Sequence, residues 1–319
     1  MQFWKGAFQL ISALRSLAHP DLAVDLGTAT TRVSPRSGSM TYSIPSVVEG
    51  ENVVRGGVIS NVDRAVELLE PMFYAARRWG VGKPRVVACA PTDATADERD
   101  AVEEVVRRAG AAAVALVDEP LAAAVGANLD VGSFFARMIV DIGHGVTDCA
   151  VVRAGEVVTS AAARVACSDL ELAVARFLAE HHGIVISAEA TRRLLKEVSF
   201  DPVNPKAGST RVTGRIAGLQ GSREAVVAYA DLLDVLAPVH RGIVSVVSDF
   251  VRDLPARICV EVIESGIDLT GGGALLDGMA ESIGGATRLD VRRVPDALGS
   301  VVRGAQRMIG NVEKQRLWG

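Results

Sequence analysis

Aromatic residues, lysine and clustered cysteine are what this chain has little of. Phe, Trp and Tyr supply 4% of 319 residues, yet Phe3, Trp4 and Phe8 all fall within the first eight positions. Only five of the 34 basic residues are lysine, a bias toward arginine that carries no functional reading by itself. Cys89, Cys149, Cys167 and Cys259 are far apart and form no CxxC, which excludes a zinc ribbon or a disulfide framework. They read as reduced structural thiols of a cytosolic protein. His181-His182 has no carboxylate or cysteine at metal-ligand spacing and reads as a helix end. No apolar run reaches the roughly 18–20 residues of a membrane-spanning helix. A net charge of −4 and a pI of about 5.8 exclude a general nucleic-acid binder. What remains is apolar: 49% hydrophobic residues and a mean hydropathy of +0.26 exclude disorder. A 33.5 kDa chain is long enough for two lobes with their own cores.

Two segments echo one another across this length. Asp25-Leu-Gly-Thr-Ala-Thr-Thr31 and Asp141-Ile-Gly-His-Gly-Val-Thr147 each follow an apolar β-type run, Leu22–Val24 and Met138–Val140. Each places a carboxylate at the strand end, a glycine two residues on, and small or hydroxyl residues in the turn. That is the chemistry of phosphate chelation. Glycine lets backbone N–H groups approach phosphate oxygens, threonine adds a hydroxyl, and the aspartate faces the divalent ion through water. One Asp-x-Gly is more often a plain turn. Two in related contexts point to a duplicated domain closing on one nucleotide.

The N-terminal stretch Met1–Leu17 has Phe3, Trp4, Ala7, Phe8, Leu10, Ile11, Leu14 and Leu17 on one half of a helical wheel, with polar residues opposite. It lacks the small-residue cleavage site of a secretory signal. Two readings stay open: a helix docked on the body, or a helix lying in a bilayer interface with Phe3, Trp4, Phe8 and Ile11 buried and Lys5 and Arg15 near anionic headgroups. The concentration of aromatics favours the membrane.

Periodicity and turn chemistry predict hairpin strands over Thr31–Val48 around a turn at Ser34–Ser39, then a helix over Val62–Trp79 and a strand at Arg85–Ala90. A helix over Ala96–Ala109 follows, capped by Thr95 with Glu98 three residues on. Val114–Val117 reads as a strand and Leu121–Ala127 as a helix. Strands are predicted at Met138–Asp141, Cys149–Arg153 and Val157–Ala163, and helices at Leu170–His181 and Ala188–Val198. Phe200–Gly221 reads as loops or an irregular hairpin, and Glu224–Leu254 as a pair of helices, the first ending near Pro238. Strand Ile267–Leu269 runs into a third glycine-rich turn, Thr270-Gly-Gly-Gly-Ala-Leu275, followed by a helix over Leu276–Ile283. Its backbone N–H groups suit an anion or the edge of a flat ring. A strand at Val291–Val294 and a helix at Leu298–Ile309 complete an α/β architecture with strand-end turns at a cleft between lobes.

The order of these pieces resembles the actin-like ATPases, and within them the bacterial actin homologues of the MreB/Mbl, rod shape-determining family. The stretches that carry it are LAVDLGTATTRV, PSVV at 45–48, GGVISNVD, PRVVACAPTDATADERDAVEEVVRRAGA, LVDEPLAAAVGANLDV, MIVDIGHGVTDCAVV and DLTGGGALLDGM. They run in family order from about residue 21 to 309. The resemblance implies duplicated RNase H-like lobes around a nucleotide cleft. It divides the chain into an N-terminal helix 1–18, lobe I from 19–135 with 296–319, a lobe II core from 136–166 with 238–295, and a IIB-like subdomain 167–237. It implies ATP and Mg²⁺ as cofactors, with Asp25 and Asp141 holding the ion through water. Gly27, Thr28, Ala29 and Thr30, with Gly143, His144 and Gly145, would grip the phosphates. Gly271, Gly272, Gly273, Ala274 and Leu275 would line the adenosine side, with Lys196 and Glu197 from a helix facing the nucleoside. Glu119 falls at the family's catalytic glutamate, which orients the attacking water. Read without the resemblance, Glu119 is a helix N-terminal acid and Lys196-Glu197 an exposed charge pair.

Two departures stand out. Where the family usually reads DIGGGTT, His144 replaces a glycine and Val146 the first threonine, a hydroxyl thought to position the attacking water. Actin resembles this chain in having valine there, so the change does not exclude hydrolysis, which is expected to be slow or absent. Between PSVV and Gly56-Gly-Val-Ile59 only Glu49–Arg55 remains, so subdomain IB is largely missing. The expected function is a nucleotide-binding cytoskeletal protein on the inner face of the cell membrane. Its expected partners are copies of itself, the membrane surface and envelope-synthesis proteins. The alternatives are a nucleotide-responsive scaffold that does not polymerise and a small-molecule kinase of the same superfamily. Phe134-Phe135 is either an apolar contact point or packing between lobes.

Overall fold

The computed structural model describes residues 20–36, 40–76 and 82–315. The N-terminal segment with Phe3, Trp4, Phe8 and Ile11 lies outside the described residues, as do 37–39 of the first predicted turn and 77–79 of the first predicted helix. The chain divides into two compact units, one of Met1–Val131 with Gly299–Gly319 and one of Gly132–Leu298. The sequence reading put the junctions at 135/136 and 295/296.

In the first unit, chain order runs β1 (Asp21–Leu26), β2 (Thr30–Pro35), β3 (Tyr42–Pro45) and four two-residue strands, β4 (Val47–Val48), β5 (Glu51–Asn52), β6 (Val54–Arg55) and β7 (Val58–Ile59). Helix α1 (Val62–Ala76), β8 (Arg85–Ala90), α2 (Ala96–Arg108), β9 (Ala113–Asp118) and α3 (Glu119–Gly126) follow, and the C-terminal helix Ser300–Gln315 returns to this unit. The main sheet has order β3-β2-β1-β8-β9. Its first three strands are antiparallel and its last two run parallel to β1. The apolar run of β1 is buried throughout because it sits at the centre of that sheet. Leu22, Val24, Val86 and Ala88 join Leu69, Phe73, Val102 and Val105 of α1 and α2 in one core. Each large side chain so buried contributes about 1.5–3 kcal/mol. The start of α2 is fixed by a reciprocal cap: Glu98 N–H donates to Thr95 Oγ1 at 3.2 Å, and Thr95 N–H to Glu98 Oε2 at 3.0 Å.

The second unit contains β10 (Arg137–Ile142), β11 (Thr147–Arg153), β12 (Glu156–Ala163), α4 (Cys167–His182), β13 (Ile184–Val185) and α5 (Ala188–Leu195). It continues with β14 (Ser209–Ile216), β15 (Ser222–Ala228), α6 (Tyr229–Arg252), α7 (Ala256–Ser265), β16 (Ile267–Thr270), α8 (Met279–Thr287) and β17 (Val291–Arg293). Its large sheet has order β12-β11-β10-β16-β17. Third, second, first, fourth, fifth: this is the plan of the first unit's sheet repeated, the duplication that the paired Asp-tipped turns implied. A separate sheet β13-β14-β15 packs against α4 through β13 and against α6 through β15.

Three elements correct the sequence reading. Ser222–Ala228 is a strand, not the start of a helix. Its Arg, Glu and Ala favour helix locally, but full register with β14, from Ser209↔Ala228 to Arg215↔Ser222, overrides that preference. Secondly, α6 is a single helix that continues through Pro238. Buried Leu232 and Leu236 before the proline and Ile243, Val247 and Phe250 after it share one stripe, which holds the helix together where Pro238 costs a hydrogen bond. Thirdly, the third glycine turn forms a short 3₁₀ turn, Gly273–Leu275, and its helix begins at Met279 rather than Leu276.

Small residues set the closest helix contact of the first unit. Ala122 and Gly126 of α3 cross Ser300 and Gly304 of the C-terminal helix. A Cβ added at Gly126 would lie 2.6 Å from the Ser300 carbonyl carbon, and one at Gly304 would lie 2.5 Å from that of Ala122. Backbones approach this closely only without side chains between them. Where the family's extra subdomain was expected to be missing, Ser46–Asn61 forms two tight hairpins. Their turns at Glu49-Gly50 and Gly56-Gly57 have φ of 49° and 84°, and 55° and 76°. Positive φ at both central residues matches the twist of the flanking strands. Buried Val53 and Val54 anchor the pair.

Candidate functional site: three strand-end turns

The first turn, Gly27–Ala29, joins β1 to β2. Asp25, the penultimate residue of β1, is 7% exposed and faces Arg32 across the ladder, with Arg32 Nη1 3.3 Å from Asp25 Oδ2. Burial raises the Asp25 carboxyl above its ordinary range, and the Arg32 charge opposes that rise. The turn is held from below by Ser46, which is fully buried: its Oγ donates to the Gly27 carbonyl at 2.6 Å and its N–H to the Ala29 carbonyl at 3.1 Å. Ser46 has one hydroxyl proton and gives it to Gly27, so the Thr31 hydroxyl, 2.9 Å away, donates to Ser46. In a trans peptide the carbonyl and the following N–H point opposite ways, so fixing the Gly27 carbonyl turns the Thr28 N–H outward. Thr28 Oγ1 accepts from Gly57 N–H at 2.9 Å, which directs its own proton elsewhere.

The second turn, Gly143–Val146, joins β10 to β11 and is closed by Gly143 N–H donating to the Val146 carbonyl at 2.9 Å. Asp141 (9% exposed) and Asp148 (2%) lie opposite each other in the ladder. His144 Nε2 is 3.0 Å from Glu171 Oε1 of α4, and Arg192 of α5 reaches the same oxygen at 3.8 Å. His144 Nδ1 is buried with no hydrogen-bond partner among the described residues. The Gly143 and His144 carbonyls accept from Cys167 and Ser168 N–H at the start of α4, at 3.4 and 2.8 Å. Val146 is buried, and Thr147 donates its hydroxyl to the Val165 carbonyl at 2.7 Å. Burial, reinforced by Glu171, pushes the neighbouring Cys167 thiol up to about 12, leaving it inert as a nucleophile.

The third turn lies directly on the second. Strand β16 runs parallel to β10 with Thr270 opposite Asp141. Gly271 has φ of +83°, and a Cβ there would run into the Asp141 carboxylate and the Ile142 carbonyl. Only glycine fits. Gly271 N–H donates to the Ala297 carbonyl at 3.2 Å, and Leu275 and Leu276 N–H close the 3₁₀ turn onto Gly272 and Gly273, so these three amides are already engaged. Ser199 bridges Asp277, and Phe200 N–H donates to the Asp277 carbonyl at 2.8 Å, bringing the chain after α5 beside this turn. Lys196 is exposed just beyond the end of α5, not within a helix, and Glu197 accepts from the Tyr229 hydroxyl at 3.2 Å.

Glu119 is half-buried in the first turn of α3, at the C-terminal end of β9, and the preceding Asp118 is paired with Arg99 at 2.7 Å. The second unit therefore brings Asp141, Gly143, His144, Gly145 and Gly271–Leu275 together. The first brings together Asp25, Gly27, Thr28, Ala29 and Thr30. Sequence reasoning missed Arg32, Ser46, Gly57 and Glu171. Ser46 lies in the PSVV stretch and Gly57 in GGVI, so their presence was legible but their contacts with the turn were not. Phe134, expected either as a contact point or as packing, is 80% exposed, and Phe135 37%. Their loop is held by Ala136 N–H donating to Glu261 Oε2 at 2.7 Å.

This arrangement has known counterparts. The cell shape-determining protein MreB of Escherichia coli (strain K12) is 27% identical over 337 residues, covering 95% of this chain and 97% of that protein. The cell shape-determining protein Mbl of Bacillus subtilis (strain 168) is 25% identical over 324 residues, covering 92% and 97%. Among solved structures, MreB5 of Spiroplasma citri bound to AMPPNP superposes with a TM-score of 0.83 at 22% identity, covering 93% of this chain and 98% of that one. The MamK double helical filament gives 0.76 at 18%, covering 92% and 99%. The fold is thus the actin-like one, with two repeated sheets. The family model for MreB/Mbl protein matches residues 52–317, most of the chain. The chain belongs to the MreB/Mbl family.

Proposed function

We propose that this protein is a nucleotide-binding, actin-like cytoskeletal protein that assembles with copies of itself and organises cell shape or cell-wall synthesis. The observation that carries this reading is the repeated strand-end turn, with a buried aspartate and a glycine in each unit. Relatives named as cell shape-determining proteins support the cellular role, and a solved relative bound to AMPPNP supports an adenine nucleotide. Magnesium fits the donor set. Asp25 and Asp141 offer hard oxygens, and among the described residues no group of three His, Cys, Asp or Glu could hold a metal alone. That suits an ion that keeps several waters and shares phosphate oxygens. These two aspartates would hold it through water, and the ion would neutralise phosphate charge. Labelled adenine nucleotide titrated against Asp25→Ala and Asp141→Ala tests the reading; undiminished affinity in both variants sinks it.

Hydrolysis is proposed to be slow or absent. Val146 offers no hydroxyl, and that of Thr147 is committed to Val165, which leaves Glu119 as the candidate to orient water. Rapid phosphate release abolished by Glu119→Ala would overturn the slow rate while keeping the assignment of Glu119. The protein is proposed to sit on the inner face of the cell membrane through Met1–Leu17, with envelope-synthesis proteins as partners. Co-sedimentation with liposomes, compared with a chain starting at His19, tests the anchor. A second reading, a nucleotide-responsive scaffold without filaments, is favoured by the two small hairpins that stand where the extra subdomain would be. Electron microscopy on lipid with and without ATP separates the two: filaments support the first, dispersed particles the second.

A further inference from the structure

Position 144 is where the two phosphate turns differ most in chemistry. The first turn, Gly27–Ala29, carries no ionisable side chain, whereas the second places an imidazole between two glycines. The contacts of that ring fix its tautomer. A carboxylate only accepts, and Glu171 Oε1 lies 3.0 Å from His144 Nε2, so Nε2 bears a hydrogen. Nδ1 is then either a bare lone pair on a neutral ring or the second N–H of an imidazolium. It is buried and has no hydrogen-bond partner among the described residues. A lone pair there forgoes one hydrogen bond. A proton there would give a charged ring with a buried donor and no acceptor, the costlier arrangement. The other charged groups near the turn are Asp169 on α4, Asp141 on β10, Asp148 on β11 and Arg192 on α5. Arg192 Nε is 3.8 Å from the same Glu171 oxygen, so its charge offsets that of Glu171 and weakens the pull on a second proton.

We propose that the His144 side chain binds nucleotide phosphate as an imidazolium, taking one proton from solvent as the nucleotide binds and returning it on release. The inference rests on the nucleotide-binding reading above and adds a regulation of that same site. A phosphate oxygen brought to Gly143–Gly145 supplies what Nδ1 lacks, an anionic acceptor. The ring is then held between two anions, Glu171 at Nε2 and phosphate at Nδ1, and both N–H groups are satisfied. Glycine at this position offers no such coupling. Affinity therefore rises as pH falls, by up to about tenfold per unit where a full proton is taken up.

Calorimetric titration of the full-length protein with Mg-ADP, repeated in PIPES, HEPES and Tris buffers at one pH, reads the proton directly. The slope of observed enthalpy against buffer ionisation enthalpy is the number of protons taken up. Near neutral pH, wild type is expected to take up about 0.5–1 proton, and His144→Gln, whose amide can still donate to Glu171, less than about 0.2. Between about pH 6.5 and 8.5 the affinity of wild type should fall at least about fivefold while that of His144→Gln stays within about twofold, the two converging at the alkaline end. Glu171→Gln removes the charge that faces Nε2 and leaves the turn itself unaltered, so it should lower the uptake by at least about half. A ring that only packs would not respond to that change. A slope of zero in wild type, or equal slopes in wild type and His144→Gln, overturns the inference and leaves the nucleotide reading intact. Absence of Mg-ADP binding by wild type in every buffer removes both.

Discussion

The crossing of α3 with the C-terminal helix makes a prediction whose sign is diagnostic. In an open helix position, alanine is better than glycine by about 1 kcal/mol, so Gly304→Ala would ordinarily stabilise. At Gly304 the added methyl lands on the Ala122 carbonyl and 2.9 Å from Gly126 N, both backbone atoms of α3 that cannot rotate aside. Relief requires one helix to withdraw by on the order of 1 Å, loosening the cover the C-terminal helix gives β1 and β8. Overpacking of this kind costs about 1–3 kcal/mol, and a backbone obstruction belongs at the upper end. The net effect is a loss of about 2 kcal/mol. For a unit of this size that lowers its melting transition by about 4–8 °C. Gly285→Ala in α8 is the matched control: the residue is helical and exposed, and nothing lies within 4 Å of its added Cβ. It should raise the transition of the second unit by up to about 3 °C. Calorimetry of both variants checks the pair. A Gly304→Ala protein melting at or above wild type would refute the reasoning about the crossing.

Removing Ser46 should weaken the first turn. Ser46→Ala leaves the Gly27 carbonyl and the Thr31 hydroxyl without their shared partner, at a cost of about 2–3 kcal/mol measurable by urea unfolding, and a loss under about 0.5 kcal/mol contradicts it. Thr95→Ala deletes the reciprocal cap of α2 and should cost about 1 kcal/mol by the same assay; an unchanged midpoint would show the cap to be incidental. His240 stacks on Phe200 with ring centroids 4.6 Å apart, and burial, helped by Arg241, lowers its pKa from the ordinary 6.5. The unfolded chain therefore takes up this proton more readily than the folded one. The stability it contributes is complete above about pH 6.5 and declines as pH falls through the lower folded value. His240→Phe, which keeps the stack, should flatten the acid-side decline in melting temperature; an identical pH profile would exclude His240 as its source.

Strand ends with special turns were readable because they combine two local signals, an apolar run and a glycine that only a close approach explains. Asp25, Asp141 and Gly271 are of that kind, as is the Thr95–Glu98 cap. What the sequence hid is pairing at a distance. Arg32 lies seven residues from Asp25, and only the hairpin register makes them neighbours. Ser46 reads as part of an apolar strand motif until its hydroxyl is found under Gly27. β15 and the unbroken α6 were missed for the opposite reason. Their local signals, helix-favouring residues and an internal proline, are genuine but weaker than register with β14 and a buried stripe running past Pro238.

The C-terminal helix has a consequence for synthesis. It is made after the whole of the second unit, yet it closes over β1 and over Ala122 and Gly126, so the first unit stays unfinished until the second has been made. Gly132–Leu298, an uninterrupted stretch, can mature beforehand. A prematurely terminated chain would thus carry one complete half and one with its central strands uncovered, a form that proteases and chaperones can tell apart from the finished product.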